Sequence, residues 1–451
     1  MTPNPTAAPV SRPSPGPAEP TFRPIQYMGS KARMLDFIRR TVDGVDPGRG
    51  RTVDLFSGSG VVAAELGRRR PVVAVDVQEY ARVLASALLS PARLGDGEIE
   101  VLAASARERA GVEWLGPLLE YEREAGEAAD SGEPEQLCKI VENGSMAALE
   151  MGEGPAEGAL EELLSASSGR AKEERLTLTR HYGGVFFGYA QALLLDCLVA
   201  VVREGPASAR DTGLAAVLGA ASECVTSVGS HFAQPLRPRD RQQRPKQTAL
   251  RAAAQRRRRD PISVFTGLLQ RYAKLAGSPF GAEAVQSDYR AFLAGEEGPV
   301  AAIYADPPYT RDHYSRFYHV LETIARGDEP SVSTVTLGSR TLLSRGLYRV
   351  ERHQSPFCIR SQAPAAFTEL FAGARELEAP LILSYSPYSS GTAARPEPRL
   401  LTIEALIELA SPHFGEVAVE SAGRFSHSRF NSSHLNGEIE TEAETLLICL
   451  P

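Results

Sequence analysis

Three short stretches of this sequence carry residue types that can do chemistry together. The first is Asp306-Pro307-Pro308-Tyr309, which ends the apolar run Ala301–Ala305. Two consecutive prolines lock φ and remove backbone donors, so the carbonyls around them serve only as acceptors. A carboxylate beside such a carbonyl accepts hydrogen bonds from an NH₂ group and turns the amine lone pair toward an incoming electrophile. Tyr309 adds a ring face on which a base can stack. The plain alternative is a rigid turn at the end of a strand.

The second stretch is Asp54-Leu-Phe56-Ser57-Gly58-Ser-Gly60, followed 22 residues after Asp54 by Asp76. Glycines after a strand let the backbone approach a ligand closely and turn sharply into a helix. An acid ending the next strand can accept both hydroxyls of a ribose. The turn lacks both the GxGxxG of dinucleotide sites and the Gly-Lys-Ser/Thr of a phosphate loop. It therefore points to a nucleoside without a phosphate chain, of which S-adenosylmethionine is the commonest, or else to a simple structural turn.

The third is Gln26-Tyr27-Met-Gly29-Ser-Lys31, ahead of the first strand. Gly29 permits a tight turn, and Lys31 could reach a carboxylate of a bound cofactor or that of Asp306. A helix-entry turn with a solvated lysine is the competing reading. His319, beside Tyr314 and Tyr318, is expected to pack or hydrogen-bond near the Asp306 loop rather than act as a base. No acid or cysteine cluster has metal-ligand spacing, so no metal is expected.

The elements that must position these residues follow from apolar patterning. Thr52–Phe56 and Pro71–Val75 read as buried strands, and Val61–Leu66 and Tyr80–Leu89 as the helices after them. This is a βαβ unit of a doubly wound sheet. Ser30–Arg40 also reads as helical. Later strands are expected at Ala301–Ala305, Pro380–Ser384, Glu416–Glu420 and Glu444–Leu450, with helices at Arg316–Arg326, Ala363–Leu377 and Ile403–Ser411.

Residues 100–280 differ from both flanks. They are Ala/Glu-rich and helical in pattern, with solvated helices expected at Glu113–Glu127 and Glu157–Leu164 and a loop at Asp130–Pro134. The segment Arg237–Arg259 holds ten Arg or Lys against one acid, Asp240. Its densest part, Arg256, Arg257, Arg258 and Arg259, is a candidate for contact with a phosphate backbone; a solvated charge run is the alternative. Four spans are expected: a disordered Pro-rich tail at 1–22, a cofactor-binding part at 23–99, a helical insertion at 100–280 for target recognition and DNA binding, and a catalytic part at 281–451.

At 451 residues the chain can bury a large core with an insertion. Hydrophobic residues make up 43% and charged residues 23%, an ordinary globular balance. The net charge of −7 means that a nucleic-acid role needs locally concentrated positive charge. Five scattered cysteines argue against a disulfide framework and for a reducing, cytoplasmic setting. The first 22 residues include seven prolines and no apolar signal segment. Val185–Val202, interrupted by Gln191 and Asp196, reads as a buried helix and not a membrane span.

Taken in order, these motifs resemble the Dam-like class of N6-adenine-specific DNA methyltransferases. That family has a lysine-containing turn like Tyr27–Lys31, then a turn like Asp54–Gly60, an acid like Asp76, a target-recognition region and an Asp-Pro-Pro-Tyr motif. The order is the α-type arrangement, and the likeness covers roughly 22–90 and 280–390. Tyr27 stands where the best-known members carry Trp.

The resemblance implies an α/β fold: a Rossmann-like S-adenosylmethionine-dependent methyltransferase sheet with a large, mostly helical insertion. It implies that Tyr27, Gly29, Lys31, Asp54, Phe56, Ser57, Gly58, Gly60, Asp76, Asp288 and Asp306 surround the cofactor S-adenosyl-L-methionine. Asp288, in Val285-Gln-Ser-Asp288-Tyr289, would face its adenine. Asp306 and the Pro307 carbonyl would hold the target amino group, beside Pro308, and Tyr309 would stack on a flipped adenine in double-stranded DNA. Such an enzyme serves restriction-modification, phage defence or epigenetic marking, with a restriction or defence partner in some settings. The remaining alternatives are a methyltransferase on RNA or a protein amide, and a catalytically weak DNA-binding subunit of a defence complex.

Overall fold

The computed structural model describes residues 22–27, 29–153, 158–311, 313–338, 340–386, 400–421, 424–426, 440–442 and 445–451. Apart from Phe22, the expected tail lies outside them. Phe22 itself is anchored, its ring edge-on to Tyr272 at 4.7 Å.

Among the described residues, seven strands form the central sheet: β1 Thr52–Leu55, β2 Val72–Asp76, β3 Ala282–Gln286, β4 Ala302–Ala305, β5 Leu381–Tyr385, β6 Glu416–Ser421 and β7 Thr445–Leu450. Their spatial order is β3-β2-β1-β4-β5-β7-β6. β7 runs antiparallel to both of its neighbours, and the pairings from β3 through β5 are parallel. The fold is thus mixed α/β around a mostly parallel sheet.

Period-two alternation splits the strand side chains between two cores. Val72, Ala74, Ala302, Tyr304, Ile382 and Leu446 face one side. Val53, Leu55, Val73, Val75, Ile303, Ala305, Leu381 and Leu383 face the other. The second side is covered by helices Tyr289–Gly295, Ala363–Glu376 and Ile403–Ala410. The first is covered by helices Val61–Gly67 and Glu79–Leu89, and then by the helical region beyond residue 100.

That helical region shares its core with the sheet, for Leu118, Leu214 and Phe265 belong to the same buried cluster as Val72 and Leu84. The expectation of solvated helices needs correction. Gly116–Ser131 buries Leu118, Ala125 and Ala129, and Ala159–Glu173 buries Leu160, Leu164 and Ala171, so both are amphipathic and their apolar stripes pack inward.

The polar breaks in the apolar stretch are structural caps. The buried Asp196 carboxylate accepts from the backbone N–H groups of Leu178 and Thr179, at the start of helix Thr177–Tyr182. Gln191 donates to the carbonyls of Arg256 and Arg259 at the end of helix Gln247–Arg257. Among the described residues no helix is long and apolar enough to cross a membrane.

Several elements went unread in the sequence, among them an edge strand, a hairpin and the helix Tyr289–Gly295. β3 sits at the sheet edge with a half-exposed pattern, so no apolar run betrays it. A hairpin pairs Thr334–Leu337 with Arg340–Leu343 after the Asp306 motif. The expected helix at Arg316–Arg326 is broken at Tyr318 into Tyr314–Phe317 and His319–Arg326.

Candidate active site

In open α/β sheets, ligands sit beyond the carboxyl ends of the strands, where the strand order reverses. Here that point lies between β1 and β4. The turn after β1 crosses over β2, with Ser57 N–H donating to the Val75 carbonyl at 3.0 Å. The loop after β4 starts beside it, since Leu55 pairs in register with Ala305. Asp54, Asp76 and Asp306 therefore come from three adjacent strand ends.

The Gly-rich turn is held by Asp76. One of its carboxylate oxygens accepts from Gly58 N–H at 3.0 Å and the other from Gln78 N–H at 2.9 Å. Burial pushes the Asp76 carboxyl up to about 6, against these stabilising hydrogen bonds. Asp54 is 1% exposed, and one of its oxygens is buried without a partner. Desolvation, with the nearby Asp306 and Asp76 charges, raises its carboxyl well above the usual range.

Phe56 occupies the left-handed region at φ 61°, unusual for a bulky residue. Its ring packs against Tyr289 at 5.4 Å and Phe357 at 5.3 Å. The Ser57 hydroxyl is buried without a hydrogen-bond partner. Gly58 has φ 53°, and a β-carbon there would lie 2.6 Å from the Tyr27 hydroxyl. At Gly60, φ is 75° and a β-carbon would meet the Ala85 backbone at 2.6 Å. The two glycines thus separate two jobs: Gly58 lets Tyr27 close over the turn, and Gly60 lets helix Glu79–Leu89 pack under it.

Tyr27 stacks on Tyr318 at 5.0 Å and tilts against Tyr314 at 5.8 Å, making an aromatic wall beside Gly58. Gly29 makes the tight turn expected of it, at φ 73°. That turn delivers Lys31, 5% exposed, with its Nζ 2.8 Å from Asp306 Oδ2. Of the two carboxylates open to Lys31, the structure shows it paired with that of Asp306. The same ammonium lies 5.9 Å from the centre of the Tyr309 ring, and that ring packs on Tyr385 at 4.9 Å. Pro307 is buried, and the Pro308 carbonyl accepts from the Cys358 thiol at 3.8 Å.

Asp288 caps helix Tyr289–Gly295, accepting from Arg290 N–H at 3.0 Å, just past the carboxyl end of β3. It stands near Asp76 along the same sheet edge, since Ser287 N–H donates to the Asp76 carbonyl at 2.9 Å. His319 is fully buried with Nε2 3.2 Å from the Phe232 carbonyl. Burial drives its imidazole down to about 3, so it is neutral near pH 7 and packs as expected.

The arginine cluster is tied to the protein itself, with Arg257 buried and Arg258 and Arg259 paired at the surface. Arg257 has only 5% of its side chain exposed and pairs with Glu122 at 2.6 Å, which corrects its assignment to a phosphate backbone. Arg256 donates to the Val225 carbonyl at 3.0 Å. Arg258 pairs with Asp130 at 2.5 Å and Arg259 with Glu223 at 2.7 Å. The partner acids lie far away in sequence, so inspection of the basic run alone hides them.

Glu322 was not foreseen. Its carboxylate accepts from Glu79 and Tyr80 N–H at 3.2 and 3.1 Å, capping the helix that follows Asp76. Glu322 is the fourth residue of helix His319–Arg326, and no local sequence signal links it to Glu79.

With this geometry in view, the chain matches a known family model over residues 27–108 and 246–375, the two stretches that carry Lys31, Asp54, Asp76, Asp288 and Asp306. The match is to the D12 class N6 adenine-specific DNA methyltransferases. The resemblance read from the motifs thus holds. The D12 match resumes at residue 246, so it takes in the basic helix Gln247–Arg257 and helix Pro261–Tyr272 as well. The chain is also 30% identical over 146 residues to the modification methylase LlaI of Lactococcus lactis subsp. lactis. That stretch is 32% of this chain and 20% of the relative's length.

Proposed function

We propose that this protein transfers a methyl group from S-adenosylmethionine to the exocyclic N6 amino group of adenine in duplex DNA. The observation that carries the reading is the convergence of Lys31, Asp306 and Tyr309 at the strand-order reversal, beside the Asp76-held glycine turn. The D12 family match supports the choice of adenine and DNA.

The residues fit the cofactor. Asp76 ends β2 as an acceptor suited to ribose hydroxyls, and Gly58 keeps the turn free of a side chain. Phe56, after β1, and Asp288, after β3, stand on either side of the end of β2, where an adenine ring and its amino group would lie. A bound S-adenosylmethionine supplies a methyl carbon on a positively charged sulfur. We read the architecture as Rossmann-like, with 23–99 and 281–451 as its core and 100–280 as an insertion for target recognition.

In the proposed reaction, Asp306 Oδ1 or Oδ2 accepts an N6 hydrogen and turns the nitrogen lone pair toward the methyl carbon. Lys31 holds that carboxylate in place, and a prolyl carbonyl of 307–308 takes the second hydrogen. The Tyr309 ring stacks on the adenine, which must leave the helix because its amine is otherwise paired. Attack is in line, so rate comes from positioning and fixed charge more than from general-base help. As the N–C bond forms, the methyl–sulfur bond would break with its electron pair left on the sulfur, and the proton would then leave the nitrogen onto Asp306 or to solvent. Cellular DNA is the substrate, so we place the enzyme in the cytoplasm, in modification, defence or epigenetic marking.

Modified-base sequencing of host DNA tests this reading. Expression of the protein should introduce N6-methyladenine at a defined sequence, and Asp306→Ala should remove it. Host DNA without methyladenine under the wild-type protein overturns the proposal.

A further inference from the structure

The first part of the basic run behaves differently from Arg256–Arg259. Residues 237–246 form a finger clamped at both its tip and its base. At the tip, the Asp240 carboxylate accepts from the N–H groups of Gln242 and Arg244 at 2.8 and 3.0 Å. At the base, Arg239 pairs with Glu135 and Glu142 at 2.6 and 3.0 Å, and its strand segment bridges to Pro245. Lys246 N–H donates to the Pro238 carbonyl at 2.7 Å. The clamps leave Arg241, Gln242, Gln243 and Arg244 exposed at the apex, with Gln243 at φ 62°.

The finger overlooks a cleft of about 1060 Å³. Arg237, Arg241 and Lys246 line it, and so does Arg345, just after the hairpin, which donates to the Leu236 carbonyl at 3.4 Å. Of the three acids lining the cleft, Glu142 and Asp240 are already paired to arginines, so the rim is cationic in a protein whose net charge is −7. The segment that leads into the finger is also tied to the chain after the Asp306 motif. Phe232 N–H donates to the Phe317 carbonyl at 3.0 Å, and the Tyr348 hydroxyl donates to the Ala233 carbonyl.

We propose that 237–246 is the base-reading element, with Arg241, Gln242 and Gln243 contacting base edges of duplex DNA in the major groove. Arg237, Lys246 and Arg345 contact phosphates across the cleft. Arginine and glutamine are the side chains that pair two-point with guanine and adenine edges there. A loop already clamped by its own hydrogen bonds loses little freedom on binding, which favours discrimination. This inference rests on the methyltransferase reading above.

The test uses the full chain carrying Arg241→Ala, Gln242→Ala or Gln243→Gly; the last suits the positive φ. Modified-base sequencing should show relaxed choice at one position of the site, with discrimination falling roughly tenfold to a hundredfold per lost pair. Arg237→Ala and Lys246→Ala should weaken duplex binding for all sequences alike and lower the salt slope by about one each. A triple apex variant that methylates the same site at the same rate overturns the finger and leaves the function standing. Wild-type protein that deposits no methyladenine overturns the function. The finger is then judged on duplex binding, where sequence preference lost in the triple variant supports it and unchanged preference overturns it. An apex-dependent preference for A-form RNA, with DNA binding unaltered, also overturns it.

Discussion

The Lys31 ammonium lies 2.8 Å from the Asp306 carboxylate, so a turn ahead of the first strand is locked to the loop after the fourth. The acid proposed to bind the target amine is therefore oriented by a residue from a distant part of the sequence. Asp306→Ala should lower kcat/KM by on the order of a thousandfold, the scale of losing one aligned polar group in a reaction centre. Its melting temperature should also fall, because the substitution takes this ion partner from Lys31, which is 5% exposed. Lys31→Met should lower kcat more than it changes the cofactor Kd. A Lys31→Met enzyme with wild-type kcat would break the link.

Cofactor binding should depend on pH through Asp76. Its carboxyl titrates near 6, against an ordinary value of 3.8. Only the ionised form accepts from both ribose hydroxyls, so affinity is full above pH 6 and weakens about tenfold per unit below it. Calorimetric titration across pH 5–8 should show this, and Asp76→Asn should bind weakly with a flattened profile. The same raised value has the opposite sign for the empty fold: the native state holds a proton that the unfolded chain has lost. Stability contributed by this group is present below about 4 and is lost as pH rises to about 6.

The two glycines of the turn should fail differently. Gly58→Ala places a methyl against the Tyr27 ring tip, which can swing aside, so its main effect should be weaker cofactor binding. Gly60→Ala drives a methyl into the Ala85 backbone of a packed helix at 2.6 Å. Both also force a side chain into left-handed φ, at about 1–2 kcal/mol. Thermal melts should show a clearly larger drop for Gly60→Ala; equal drops would contradict the assigned roles.

The arginine cluster should act on stability. Arg257→Ala leaves Glu122 buried without its ion partner, a loss of about 3–5 kcal/mol. Arg258→Ala removes a half-exposed pair and should cost about 1 kcal/mol or less. Urea unfolding separates the two, and a mild Arg257→Ala would mean that Glu122 finds another donor.

The sequence by itself determined the local parts of this protein. Strands β1, β2 and β4, the glycine turn, Asp76 and the Asp306–Tyr309 loop are legible because each is a short apolar run stopped by Gly, Pro or an acid. Their order along the chain also identified the family. Edge strand β3 escaped notice because a half-exposed strand carries no continuous apolar signal. Only the tertiary structure decided which partners the charged residues take. Lys31 chose Asp306, Arg257 chose Glu122, and Glu322 capped a helix on the far side of the chain. Such pairings depend on distances set by sheet order and helix packing, which residue spacing does not encode. The same physics buried Arg257 against Glu122, tied the exposed Arg258 and Arg259 to surface acids, and left the clamped apex at Arg241–Arg244 facing solvent.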